Sequence, residues 1–460
     1  MEANSYLSGG YGIRLSLVSQ VLTPSTVGGI AAVWQPSRLK GIQVSSDFGT
    51  PFLAATQVFD LRPAPRKFLS LDRTDSSEER FIENGTIVIT CSGSVGRTTL
   101  INAAHQGVLI SHDLLRIQPK NSAHWGWLYA FFRSKPAQEM MTSAHYGHMI
   151  KHLEPSHVMA LPIPVPREEL LRTFQSDAQQ VLDWRNQAWQ MQVQAEALYV
   201  DAIGPIIDGR DASETGFSIS TRALFGKRRR LEAAYHSPIA ANIIDRVKRA
   251  GLKVERLDDV AAGVWWPNRF RRVFGEEGDR YLSADELFSI NPGTTKRVIV
   301  EQTNNEADYR VKEGWIVMAR SGQTYGLNGS VALLTKEHEK AFFSEDLIRI
   351  VAGPSIRAGY LFTTLGHPAL GRPLVMRNAY GTSIPHLDPE DVAEIPIIRL
   401  PRELEDRIAD FAEEVASLRV KADALENSLA ERAEDLINAF ASGDTTSFDI
   451  ANGRASIGRE

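Results

Sequence analysis

Two stretches of the chain carry apolar residues at alternating spacings of four and three. In one, Leu404, Ile408, Phe411, Val415, Leu418, Ala422, Leu425 and Leu429 run without a break, and the register then shifts by one to Ala433, Leu436 and Phe440. In the other, Leu170, Phe174, Val181, Trp184, Ala188, Met191, Ala195, Leu198 and Ala202 do the same, with Asp177 the only polar intruder. Sustained spacing of this kind predicts a coiled-coil seam rather than the wider stripe of a globular surface helix. Helices are expected over 167–203 and 401–440, packed on each other as a rod of roughly 50 Å at 1.5 Å per residue. Each follows a proline-rich stop, Leu161-Pro-Ile-Pro-Val-Pro166 or Ile395-Pro-Ile-Ile-Arg-Leu-Pro401.

Upstream of each stop the pattern changes to short β-rich runs, and it does so twice. Thr86-Ile-Val-Ile-Thr90 and Trp315-Ile-Val-Met318 are each entered through a glycine turn and left through Ser-Gly. Strands are also expected at 107–110 and 114–117, matched by 340–343 and 347–350, with a helix after each set at 125–141 and 356–370. The match extends to residue identities. Trp34-Gln-Pro36 is answered by Trp265-Trp-Pro267, and Ser92-Gly93 by Ser321-Gly322. Ser111-His-Asp113-Leu-Leu-Arg116-Ile is answered by Ser344-Glu-Asp346-Leu-Ile-Arg349-Ile, and Ile150-Lys-His152-Leu-Glu-Pro155 by Ile384-Pro-His386-Leu-Asp-Pro389. Order is kept and the offset drifts only from 229 to 234, too long a period for a solenoid unit of ~20–50 residues. The chain holds a duplicated domain. The expected organisation is a first repeat over 1–166, a helix over 167–203, a linker over 204–250, a second repeat over 251–400, a helix over 401–440 and a tail over 441–460. The fold class is α+β.

Charge refines this picture. The net charge is −5, but residues 401–440 hold 11 Asp/Glu against 5 Lys/Arg, whereas 205–272 hold 14 Lys/Arg against 8 Asp/Glu and include Lys227-Arg-Arg-Arg230. A basic segment and an acidic helix suit different partners. A single cysteine, Cys91, whose counterpart is Arg320, excludes a disulfide framework and a cysteine-based zinc site, and is expected to be a buried, inert thiol. With no stretch of ~20 apolar residues and no opening signal segment, a cytoplasmic protein without membrane contact is expected.

Catalytic signatures are missing. Gly93-Ser-Val-Gly96-Arg is too short for a phosphate loop and lacks its lysine, and Gly322-Gln-Thr-Tyr-Gly326 carries Thr where a nucleophile elbow carries Ser. His105, His112, Asp113, His145, His148, His152 and His157 crowd the first repeat, yet only His152 is matched, by His386. No metal site and no catalytic residue is expected.

The shared positions suit recognition instead. Trp34 with Arg38 and Lys40, and Trp265 with Arg269, Arg271 and Arg272, place an aromatic ring beside cations, as a phosphate backbone requires. A core tryptophan flanked by surface charge is the alternative. The Ser-Gly turns keep a frame, in which Ser92 is itself a candidate contact, but vary at their tips: Ser94, Arg97 and Thr98 against Gln323, Tyr325 and Asn328. The His-Leu segments do likewise, with Lys151 against Thr382 and Ser383. Two readers of different base sequences need this, because side-chain identity sets the donor and acceptor pattern; neutral drift is the competing account.

In order, duplication and trailing helices, these motifs resemble the specificity subunit of type I restriction–modification enzymes over residues ~30–203 and ~255–440. The resemblance implies two target recognition domains, each reading half of a bipartite site in double-stranded DNA, joined by two long antiparallel coiled-coil helices. It also implies a non-catalytic chain. Adenine-methyltransferase subunits would bind S-adenosylmethionine, and motor-nuclease restriction subunits would bind ATP and Mg. The longer basic linker at 204–250 departs from the family, and a recognition role in another methylation-based phage-defence assembly stays open.

Overall fold

The structure is a computed structural model that describes residues 9–144, 152–204, 216–225, 230–292, 296–300 and 305–448. It divides into two units. Unit 1 comprises Met1–Asn186, Ser289–Gly293 and Lys421–Glu460; unit 2 comprises Gln187–Phe288 and Thr294–Val420. Each unit takes one repeat together with part of both long helices, so the division cuts across the linear order of the sequence. Unit 1 also claims a short segment from within the second repeat.

The repeats share one α+β topology. In unit 1 the strands are β1 (Ala31–Trp34), β2 (Thr50–Leu53), β3 (Ile87–Thr90), β4 (Thr98–Leu100), β5 (Leu109–Ile110) and β6 (Leu114–Pro119). In unit 2 they are β7 (Ala261–Trp265), β8 (Phe274–Leu282), β9 (Trp315–Ala319), β10 (Val331–Leu333), β11 (Phe342–Phe343) and β12 (Leu347–Ala352). The main sheets run β1-β6-β3-β4 and β7-β12-β9-β10, all antiparallel. Beside each lies a parallel pair, β2 with β5 and β8 with β11, in matched register: Phe52 faces Leu109 and Tyr281 faces Phe342. A residue-for-residue match of pairings across weakly similar sequences establishes a duplication of the fold itself.

The helix expected over 125–141 is broken into Trp125–Arg133 and Lys135–Ala144. Pro136 explains the break, since in a continuous helix its ring would clash with the carbonyl four residues earlier; Ser134 is extended and its hydroxyl accepts from the Ala137 amide. The counterpart is Ala358–Gly366, which ends where His367 precedes Pro368 and leaves the helical region, with φ −59° and ψ 124°, as a residue before proline prefers.

The long helices are Glu168–Ile203 and Arg402–Ala441. Within unit 1 they pair antiparallel: Asp177 meets Arg432, and Arg185 meets Asp423 and Glu426. Within unit 2, Gln192 meets Arg419. The seam corrects the sequence reading. Leu171, Arg185, Gln192, Tyr199 and Ile203 are buried, whereas Leu170, Trp184, Met191, Leu198 and Ala202 sit half-buried on the flank. Two polar residues thus occupy seam positions. Hydrophobicity alone favoured their apolar neighbours, because the cross-helix partners that satisfy Arg185 and Gln192 are far away in sequence.

Each repeat docks on its stretch of helix through one glycine. A β-carbon at Gly126 would lie 2.3 Å from the Phe174 carbonyl oxygen, and one at Gly359 would lie 2.5 Å from that of Ala409. The next residue in each case is a buried aromatic that donates into the proline-rich stop: Trp127 Nε1 to the Pro164 carbonyl at 3.0 Å, and the Tyr360 hydroxyl to the Ile398 carbonyl at 2.6 Å. Glycine inside a helix normally costs ~1 kcal/mol relative to alanine, so Gly→Ala should stabilise an uncontacted site. Here Gly126→Ala and Gly359→Ala are expected to destabilise by about 1–3 kcal/mol through overpacking, read as a lower urea midpoint at unchanged slope.

A second prediction concerns acid. His105 is buried, its Nδ1 accepting from the Asn102 amide at 3.1 Å and its Nε2–H directed at the Val58 carbonyl at 3.0 Å. Burial pushes its pKa from 6.5 down to about 4. The stability it holds is therefore complete above pH 6.5 and is lost as pH falls through about 4. Unit 1 is expected to lose about 2 kcal/mol between pH 7 and pH 5 from this group. The loss should vanish in His105→Gln when denaturation is compared at the two pH values.

Candidate nucleic-acid interface

The shared Ser-x-Asp-Leu-x-Arg motif builds a platform. Arg116 and Arg349 are fully buried and donate back to the chain, to the carbonyls of Ser111 at 3.2 Å and Ser344 at 2.9 Å. Asp113 accepts from the hydroxyls of Ser92 and Ser111, each at 3.1 Å. The two arginines are thus turned inward, and Asp113 braces the Ser-Gly turn of the first repeat while its side chain, like that of Asp346, stays partly exposed.

On this platform each Ser-Gly turn is bridged to the histidine of the following segment, Ser92 to His152 and Ser321 to His386. In unit 2 the Ser321 hydroxyl lies 2.8 Å from His386 Nδ1. Burial, and then the charge of Arg320, lower the His386 pKa, which favours a neutral ring in this contact. The Gly322 amide donates to the Pro385 carbonyl at 3.1 Å, and Gln323 Nε2 to the Ser383 carbonyl at 3.1 Å. Gln323, Tyr325, Thr382 and Ser383 therefore share one exposed patch, with Ile384 beside them. Residues sixty apart in sequence converge as variable tips on a common frame. Arg372, which no local pattern singles out, donates to the carbonyls of Thr324 at 3.0 Å and Gly326 at 2.9 Å and so braces the turn; only the fold brings it there.

Three residues read as surface contacts have other work. Asn328 has no exposed surface; its amide donates to the carbonyls of Gly322 at 3.1 Å and Pro385 at 3.0 Å. Arg97 spends its guanidinium on the carbonyls of Ile290 and Asn291, at 3.0–3.2 Å, and lies 4.2 Å over the Phe59 ring. Arg272 pairs with the buried Glu345 and lies over Phe270 and Tyr281. Asn328 and Arg97 are drawn inward by backbone carbonyls, whereas Arg272 stays exposed with its guanidinium held by a buried carboxylate. Ser94 is exposed, its carbonyl accepting from the Thr90 hydroxyl, and Ser92 is half-buried. Lys151 lies outside the described residues, as do Lys227, Arg228 and Arg229 of the basic cluster. Arg230 is described: it pairs with Glu232 and Asp391 and stacks on Tyr235 and Tyr380.

Arg38, Lys40, Arg269 and Arg271 remain exposed, beside Trp34 and Trp265, which are 39 % and 36 % exposed. Neither tryptophan is a core residue; Trp265 packs edge-on against Trp315 with ring centres 5.2 Å apart. Cys91 is buried, and burial together with Asp113 pushes its thiol up to about 11. Among the described residues no three His, Cys, Asp or Glu side chains gather to hold a metal ion, and no helix is long and apolar enough to cross a membrane.

Asn328 separates the two roles by experiment. As a buried staple, Asn328→Ala should lower the stability of unit 2 by about 1–3 kcal/mol, because two carbonyls lose their donor. An exposed base reader would leave the unfolding midpoint unchanged.

No sequence-family profile matches the chain, and no curated protein matches it. Among solved structures it is similar to the type I restriction–modification S subunit from M. genitalium, at 13 % identity and a TM-score of 0.32 over 94 % of this chain and 97 % of that one. It is similar to the HsdS subunit from Thermoanaerobacter tengcongensis at 14 % identity and a TM-score of 0.26, over 91 % and 96 %. A chain from a structure of complex assembly and conformational transition of the type I R-M system aligns at 14 % identity and a TM-score of 0.27, over 89 % and 99 %.

Proposed function

We propose that this chain is the DNA sequence-recognition subunit of a type I restriction–modification complex, itself non-catalytic, with each repeat reading one half of a bipartite site. The observation that carries the reading is the duplication: two units with the same strand order and the same turn platform carry different exposed polar tips. Reading two different half-sites demands a constant frame and variable donors and acceptors. Exposed Arg38, Lys40, Arg269 and Arg271 would grip phosphates without regard to sequence. Ser92, Ser94, Gln323, Tyr325, Thr382 and Ser383 supply side chains for base edges. The acidic second helix, repelled by phosphates, suits protein partners instead; these would be adenine-methyltransferase subunits, which bind S-adenosylmethionine, and motor-nuclease subunits, which bind ATP and Mg. The antiparallel helices act as the spacer between half-sites, and a rod of roughly 50 Å spans about 15 base pairs.

The test is domain exchange within a reconstituted complex that contains the methyltransferase subunits. Residues ~30–160 are replaced by the equivalent segment of a related subunit, with Phe59, Arg97, Tyr129 and Arg133 retained because they hold residues 290–291 in unit 1. Methylation mapped by single-molecule sequencing is expected to change in one half of the site only. Change in both halves, or methyl transfer by this chain alone, would overturn the reading. In the same complex, Arg269→Ala should weaken binding to all sequences and lower the salt slope by about one unit, whereas Gln323→Ala should cost about 1–3 kcal/mol on the cognate site alone.

A further inference from the structure

The basic loops that follow Trp34 and Trp265 are tied down at two matched points. The first lies just after the tryptophan. Gln35 Nε2 donates to Cys91 Sγ at 3.2 Å and to the His112 carbonyl at 2.8 Å. At the equivalent place, the Arg320 guanidinium lies 4.0 Å over the Trp266 ring. Position 320 is the counterpart of position 91 and 266 that of 35, so both members of the pair have changed together while the contact persists. An amide–thiol hydrogen bond in one repeat is a cation–π contact in the other.

The second point lies two residues further on. Arg80, fully buried, donates to the Ser37 carbonyl at 3.0 Å. Tyr309, its counterpart and also buried, donates its hydroxyl to the Asn268 carbonyl at 2.9 Å. Again the residue differs and the bond is kept. Between the two anchors sits a buried proline, Pro36 or Pro267, with φ fixed by its ring. Immediately beyond them come the exposed cations. A loop whose only task was to connect two strands would need neither anchor, and drift would not preserve both through two substitutions each.

We infer that Gln35 with Cys91, Arg80, Trp266 with Arg320, and Tyr309 form a latch in each repeat that positions its basic loop for the DNA backbone. The latch works by preorganisation: a loop already held in its bound shape does not lose further freedom when a phosphate arrives. The first anchor also ties the loop to the residue that precedes the Ser-Gly turn, so the backbone grip and the variable tips of one repeat are set by the same element. The inference rests on the proposed DNA-binding role of these loops, and its test separates the two.

Tyr309→Phe removes one hydroxyl and leaves the ring in place against Phe270 and Phe342, at centroid distances of 4.3 and 5.1 Å. In the full chain this variant is expected to keep its thermal midpoint while amide exchange over 266–271 accelerates about three- to tenfold. Its binding to a random-sequence DNA duplex should weaken several-fold, with a salt slope about one unit lower. Unchanged exchange would overturn the latch itself. Faster exchange with unchanged duplex binding and salt slope would leave the anchor standing but overturn the positioning role, whereas the reading of these loops as phosphate contacts falls if Arg269→Ala leaves duplex binding and salt slope unchanged. The pairing is tested by transplantation: Gln35→Trp and Cys91→Arg are each expected to accelerate exchange over 35–40, and the double variant to restore it. Failure of the double variant to improve on the singles would show that the two positions are not coupled.

Discussion

A buried cation must find its carboxylates, and in unit 1 that requirement sets the arrangement of everything else. Arg185 sits in the helix seam with almost no exposed surface, and Glu426 faces it with its carboxylate equally hidden. Burial alone would raise the Glu426 pKa, but Arg185 and Arg133 more than offset it, and the carboxylate stays ionised. Only one sliding position of the two helices brings these groups together; any other leaves an uncompensated buried charge, at a cost of ~3–5 kcal/mol. An all-leucine seam would hold the helices as firmly and tolerate slippage, as apolar seams without a polar layer do. The same carboxylate also accepts from Tyr129, on the helix that the first repeat lays on the pair. Helix register and repeat placement are thus solved by one set of contacts. In unit 2 the polar seam position Gln192 accepts from Arg419, a contact between an amide and a cation that leaves no buried carboxylate to be matched.

The close glycine contacts complete this logic. Gly126 and Gly359 let a helix backbone approach another helix as far as van der Waals contact allows, which no larger side chain permits. The aromatic that follows each glycine reaches the proline-rich stop, so the stop, the docking helix and the long helix form one corner. The duplicated units keep this corner although Trp127 has become Tyr360. What the duplication preserves is the position of a hydrogen-bond donor and not the identity of the side chain.

Much of this was legible in the sequence, and the parts that were not share a physical reason. Periodicity located both long helices to within a residue or two, because a seam leaves its mark at fixed local spacing. The matched strands were visible as β-rich runs between glycine turns. Choosing Leu170 over Leu171, or Trp184 over Arg185, failed because the deciding partners lie some 240 residues away, where no local pattern reaches. Asn328 and Arg97 face inward for a related reason. Polar residues in loops read as solvent-facing, yet loops carry unpaired carbonyls, and a nearby amide or guanidinium is drawn in to satisfy them. Gln323, Tyr325, Thr382 and Ser383 lie on the surface, as their loop positions predict.

The segment at 289–292 has a bearing on how such a protein can evolve. Asn291 adopts a left-handed backbone, with φ of 50°, and in that conformation its side chain reaches Arg133, Tyr129 and Glu426, while Ile290 bonds to Phe59. Genetically these residues belong to the second repeat; structurally they complete the first unit. A crossover that exchanged one repeat between two related genes would therefore inherit a plug from one parent and its socket from the other. Recombinants would survive selection only where plug and socket happen to agree, so Asn291 and its partners mark a compatibility barrier inside a molecule whose two halves otherwise look free to be reshuffled.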